Sequence, residues 1–199
     1  MKKVFCFIVV VVVMVSCQSQ EKKAEALIKK NIVKTLYKPD TYKPIDTKVD
    51  SAFAPYDDPN LIKELLELAK IKEEYDELDR KVKHAKSSMA IWGGSHLSEY
   101  DRIKYQEAKE DFDEANTQIE KLDEIGKKQN EKIFSILRGE RKFVGYKVLH
   151  NYRADNNAGN TLIGDTYFFI DKNFEEVLVT INEEDYNNLQ ESIKRFWME

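Results

Sequence analysis

Residues 150–161 of this 199-residue chain run HNYRADNNAGNT, and three chemistries fit that composition. Asp155, Asn157 and Gly159 mimic the first positions of a calcium loop, but Thr166 stands where the bidentate Glu of the twelfth position is needed. Arg153 with Asn156, Asn157 and Asn160 would instead grip an anionic or sugar ligand through the guanidinium fork and the side-chain amides. The leading reading is architectural. Asn and Gly accept left-handed backbone angles, and Asn side chains satisfy turn amides. The stretch from 153 to 161 then bends the chain between two strands, with Arg153 paired to Asp155 or Asp165.

Other catalytic patterns are missing. No GxSxG, HExxH, CxxC or glycine-rich phosphate loop occurs, and GGSH at 93–96 has the wrong neighbours for a nucleophile elbow. His84, between Lys83 and Lys86, is expected in solvent, and His96 in an exposed loop. His150, on a strand face with Val148 and Tyr152, is expected to be a partly buried structural histidine. The acid doublets at 57–58, 73–74 and 183–184 are ordinary in a chain with 34% charged residues and make a poor case for paired catalytic carboxylates. No catalytic residue, metal or cofactor is therefore expected.

Lys2 and Lys3 precede an unbroken apolar run, Val4–Val15. At helical rise it spans roughly 18 Å, well short of a hydrocarbon core of roughly 30 Å. It has the length of a signal-peptide core rather than of a spanning helix. The run ends at MVSC, residues 14–17, which resembles the lipobox of bacterial lipoproteins, with Met14 and Ser16 as departures from its commonest residues. The resemblance implies a signal peptide over 1–16, lipidation at Cys17 and a lipidated tether over 17–23. More than one acyl chain gives stable membrane anchoring. Cys6 and Cys17 are the two cysteines, so the mature domain would carry no thiol for disulfides or nucleophilic chemistry. Gln18 in place of Asp removes the common inner-membrane retention signal, which points to the outer membrane with its face left open.

Residues 1–16 carry only Lys2 and Lys3 as charges, so the remainder holds 30 basic and 36 acidic residues, a net −6. That balance, with no basic stripe, excludes nucleic acid as a partner.

Behind the polar stretch stand elements of three periods. Ala24, Leu27, Ile28, Ile32, Val33 and Leu36 share a helical face over 21–36, ended by YKPD. All four prolines lie at 39–59, which makes that segment extended or turning, with IDTKVDSAF as a possible edge strand. From Leu61 to Trp92, apolar residues recur at three- and four-residue steps, a coiled-coil seam. Gly93 and Gly94 break it, Ser98 and Asp101 form a capping box, and the seam resumes from Tyr105 to Leu137. Gly126 is expected to kink that second helix. The two helices should lie antiparallel. They either bury each other and part of a core, or form a protruding hairpin whose tip, around Ile91, Trp92 and Leu97, docks a protein. From Arg141 the segments 143–152, 161–170 and 176–181 are β-branched and aromatic, an antiparallel meander. Asn182 caps a last helix striped by Tyr186, Leu189, Ile193, Phe196 and Trp197.

VKTLYKPDTYKPI at 33–45 resembles the L-x-D-P-x-S-Y segment of small secreted bacterial domains, with Lys38 in place of the Asp. HNYRADNNAGN resembles their Y-R-A-x-N-x-x-G segment. The chain thus resembles an uncharacterised lipoprotein of the Bacteroidota type. This implies an α+β fold: a small antiparallel sheet with N- and C-terminal helices, built discontinuously from 24–60 and 138–199. A helical hairpin, 61–137, is inserted between them. The expected role is a non-enzymatic envelope binding module. A structural assembly protein working through its hairpin is the alternative, and a small envelope hydrolase the third.

Overall fold

The computed structural model describes residues 20–94 and 98–196. The expected signal peptide, Cys17, His96, Leu97 and Trp197 lie outside the described residues. The fold is α+β, with one antiparallel sheet and a helical hairpin. In chain order the elements are α1 (Gln20–Ile32), β1 (Lys43–Ala54), α2 (Pro59–Trp92), α3 (Glu99–Leu137), β2 (Lys142–Asp155), β3 (Thr161–Ile170), β4 (Val177–Asn182) and α4 (Glu183–Phe196). Contacts group residues up to Ile62 and from Gly139 onward into one unit, and Lys63–Arg138 into another.

In the first unit the sheet order is β1-β2-β3-β4, every neighbour antiparallel. α1 lays Ala24, Ile28 and Ile32 on one face of the sheet, against Tyr42, Val148, Phe168 and Ile170. These helical residues are four apart, the spacing that stacks side chains on one face. The opposite face belongs to α4, whose Tyr186 ring lies 4.4 Å from Tyr167 and 5.8 Å from Phe169. α4 starts as its sequence suggests: Asn182 Oδ1 accepts from the Asp185 amide at 2.8 Å.

Two boundaries move. α1 stops at Ile32 rather than at 36, because Lys34 and Thr35 donate to carbonyls only three residues back, at 3.2 and 3.0 Å, which tightens the chain into a turn. β1 starts earlier, at Lys43, and carries Pro44 within it. It tolerates the proline because it is an edge strand, and the pairing slips between Pro44 and Asp46.

In the second unit, α2 and α3 run antiparallel. Leu78 and Val82 pack with Ala115 and Leu122, and Ile71, Phe112 and Ile119 flank them. Ser98 and Asp101 form the reciprocal capping box that opens α3. Glu77–Lys81 and Asp79–Lys83 are ion pairs at 3.3 and 2.6 Å, and Asp76 pairs back to Lys72 at 2.7 Å. Gly126 does not break the helix: α3 is continuous from Glu99 to Leu137. The seam instead passes through Gly126 and buried Gln129, whose amide donates to the Glu64 carbonyl at 2.8 Å and to its carboxylate at 2.7 Å. A buried polar residue with its partners on the facing helix fixes the register of such a pair. At Gly126 a Cβ would meet only Ile71 Cγ2, at 4.0 Å, an ordinary contact. Gly126→Ala should therefore stabilise the protein by about 1 kcal/mol in urea unfolding. A loss of stability would mean that the helix is distorted there.

Candidate functional site

The asparagine-rich stretch is mostly strand. Pairing of β2 with β3 runs out to Asp155 and Thr161, so the bend is five residues, 156–160, rather than nine. Asn156 organises it: its amide donates to the Asn160 carbonyl at 2.9 Å, its carbonyl accepts from the Gly159 amide at 3.0 Å, and its Oδ1 accepts from the Asn160 amide at 2.9 Å. Gly159 takes φ +86°, the left-handed angle that favours glycine. The Asn156 side chain is thus committed to its own loop, while Asn157 and Asn160 are exposed. Arg153 lies in β2, between Lys43 and Ile163 in register. Its two expected partners each accept another hydrogen bond. Asp155 accepts from the Thr161 hydroxyl at 2.7 Å, and Asp165 accepts from the Asn151 amide across the strand pair. Of the four residues suited to a ligand grip, Asn156 is bonded within its own loop, while Arg153, Asn157 and Asn160 are exposed.

Beside this hairpin, on the α1 face, is a cavity of about 240 Å³ lined by Leu36, Tyr37, Tyr152, Asn156, Leu162 and Gly164. Tyr152 reaches it because Gly164 has no side chain; a Cβ there would stand 2.5–2.7 Å from the tyrosine ring and hydroxyl.

His150 is buried completely, not partly. Its Nε2 meets the Tyr42 hydroxyl at 2.8 Å and its Nδ1 the Thr47 hydroxyl at 2.9 Å. A neutral ring satisfies both, donating from one nitrogen and accepting at the other. Burial pushes the imidazole below its ordinary pKa, against the opposing pull of Glu25 and Asp46. Burial likewise lifts the Tyr42 hydroxyl to about 12, so it stays protonated. The unfolded chain then binds this proton more readily than the folded one, and stability falls as pH drops below the ordinary value of 6.5. Between about pH 7 and about pH 5.5 the wild type should lose more stability than His150→Gln. Equal slopes would mean that His150 does not titrate as described.

A second titratable cluster lies on the other face of the sheet. Lys147 Nζ donates to Asp57 Oδ1 at 2.8 Å and to the Tyr186 hydroxyl at 3.2 Å, and Tyr186 donates to the same Asp57 oxygen at 3.1 Å. Burial would lower the Lys147 pKa, but Asp57 and Tyr186 hold it above its ordinary value. Burial lifts Tyr186 to about 12. The three groups satisfy one another, as a clamp between the β1–α2 turn, β2 and α4. No sequence motif marks this cluster. Among the described residues, no group of three or more His, Cys, Asp and Glu side chains is placed to hold a metal ion.

In the second unit, the loop end of the α2–α3 hairpin carries Ile91, Tyr100 and Ile103 at 70, 60 and 51% exposure. Trp92, half-buried, sits edge-on to Tyr100 at 5.8 Å, and Lys104 lies over the Tyr100 ring at 5.9 Å. Tyr100 and Ile103 were not anticipated as part of this patch; they belong to the first turns of α3, where the sequence signal is the capping box. Along the hairpin, an open groove of about 570 Å³ is lined by Arg80, Lys81 and His84 of α2 and by Asp111 and Glu114 of α3, with Leu78 and Ala115 among them. His84 is exposed, as expected. No family model, curated protein or solved structure matches the chain.

Proposed function

We propose that the mature chain is a lipid-anchored protein of the cell envelope, held at the outer membrane through Cys17, that engages a protein partner with the loop end of its helical hairpin. One observation carries the reading: Ile91, Tyr100 and Ile103 are uncovered together where the two helices meet. Farther from that end, the outer surface of α2 carries ion pairs such as Glu77–Lys81 and Asp79–Lys83. Single exposed apolar residues are ordinary, but several aromatic and aliphatic side chains exposed at one end of a charged hairpin have the make-up of a protein interface. The net charge of −6 outside residues 1–16, from 30 basic and 36 acidic residues, disfavours nucleic acid. The anchor is supported by the short apolar run ending at MVSC. The half-buried Lys147, Asp57 and Tyr186 bond to one another as a clamp joining three elements, which favours a structural role for them over a hydrolase site.

Two measurements test the two halves. Labelled palmitate should enter the wild type and not Cys17→Ala, and equal labelling would remove the anchor. Joint replacement Ile91→Glu and Ile103→Glu should shift the detergent-extracted protein from a larger assembly to its own mass, with helix content and acylation retained. An unchanged assembly would remove the hairpin end from the interface.

A further inference from the structure

We propose that the outer edge of β3 over Thr161–Asp165 accepts an extended segment of a partner protein as an added strand, in line with β4. β3 pairs with β2 along all ten of its residues, but β4 covers it only from Thr166 to Ile170. β4 cannot go further: Asn182, opposite Thr166, is already the cap of α4. Alternate residues of an antiparallel strand turn their N–H and C=O to each side. The edge at 161–165 thus presents main-chain donors and acceptors that no ladder among the described residues uses.

The outer edge of β1 and the free part of β3 are treated differently. β1 carries Lys43, Pro44 and Lys48, and its register slips twice, the devices by which natural edges refuse a new strand. The free part of β3 is TLIGD, with no lysine, proline or slip, and its Leu162 and Ile163 are 56 and 71% exposed. That edge is open to pairing.

The surroundings define the occupant. An added strand would point alternate side chains to each face. On the α1 face they meet the cavity of about 240 Å³ walled by Leu36, Tyr37, Tyr152 and Leu162, room for one apolar side chain. On the other face they lie beside Ile163. Five residues of lane correspond to roughly 17 Å of strand. The fitting ligand is an extended peptide of about five residues with β-branched or aromatic side chains at alternate positions, held by main-chain hydrogen bonds. A second copy of this chain fits poorly. Two-fold antiparallel pairing centred on Ile163 would set Asn160 of each copy opposite Thr166 of the other, where Asn182 already stands.

The probe is a linear octapeptide library displayed on phage, selected against the full chain in detergent, with the best binder then synthesised. Enriched peptides should alternate apolar and polar residues. N-methylation at every second residue of the synthetic binder should weaken it at least tenfold, and at the intervening residues only slightly. Ile163→Lys should weaken it equally while lowering the urea midpoint only slightly, because that side chain is already in water and the cost is confined to the like charge of Arg153 opposite it. Amide exchange should slow at 161–165 on binding. Failure to enrich any peptide that Ile163→Lys weakens, or binding indifferent to N-methylation, would overturn the proposal. So would a wild-type dimer abolished by Ile163→Lys, which would assign the edge to a second copy.

Discussion

Gly145→Ala is expected to cost about 3 kcal/mol or more, a large fraction of the roughly 5–15 kcal/mol that holds a domain together. Gly145 has φ +145° and lies where β1 and β2 slip register, with Ala52 opposite Gly145 but Phe53 opposite Phe143. A Cβ there would collide with the Ile170 carbonyl oxygen on the other side of β2. The obstacle is backbone inside a ladder, so it cannot rotate aside. Gly159→Ala is the informative contrast. It too has positive φ, +86°, but its nearest neighbour would be Lys38 Nζ, the end of a flexible side chain, at 3.7 Å. Only the backbone penalty of about 1–2 kcal/mol should appear. Urea unfolding of the two variants distinguishes the two causes. A Gly145→Ala loss no larger than that of Gly159→Ala would mean that the slip between β1 and β2 is not as described.

Asp57→Ala should come next, at about 3 kcal/mol. It leaves the half-buried Lys147 ammonium without its carboxylate hydrogen bond, beside the Tyr186 hydroxyl and ring. Removing one partner of a buried pair costs more than removing both, because the remaining charge keeps its desolvation penalty. The double replacement Asp57→Leu with Lys147→Met should therefore be less destabilising than Asp57→Ala alone. Tyr186→Phe removes hydrogen bonds but no charge, at about 1 kcal/mol. If the double replacement proves worse than the single one, the pair contributes more through its geometry than burial costs it.

The sequence was most legible where one period persists. The seam of α2 and α3 repeats for more than thirty residues in each helix, so the hairpin and its capping box could be read directly. At Gly126 the helix continues unbroken, because helix propensity is a local cost of about 1 kcal/mol that packing on both sides offsets. In the meander, polarity was mistaken for a loop. Arg153, Ala154 and Asp155 are strand residues, because main-chain pairing with Ile163, Leu162 and Thr161 does not depend on apolar side chains. What stayed hidden were contacts between residues far apart in the chain. His150 finds Tyr42 and Thr47 at separations of 108 and 103 residues, and Lys147 finds Asp57 at 90. The inserted hairpin creates those separations, and no local spacing reports them. The open edge of β3 was hidden for another reason: it depends on where β4 stops relative to its neighbour, a matter of register rather than composition.

The most direct measurement for the proposed role is site-specific photo-cross-linking in living cells, with the photoreactive residue placed at Ile91 and, as a control, at Lys83. Ile91 belongs to the exposed patch at the hairpin end, while Lys83 lies farther along α2 in an ion pair with Asp79. A single discrete heavier species from position 91, absent from position 83 and lost when Ile103→Glu is added, is the expected result. No adduct at position 91, or the same adducts from both positions, would contradict a partner bound at the hairpin end.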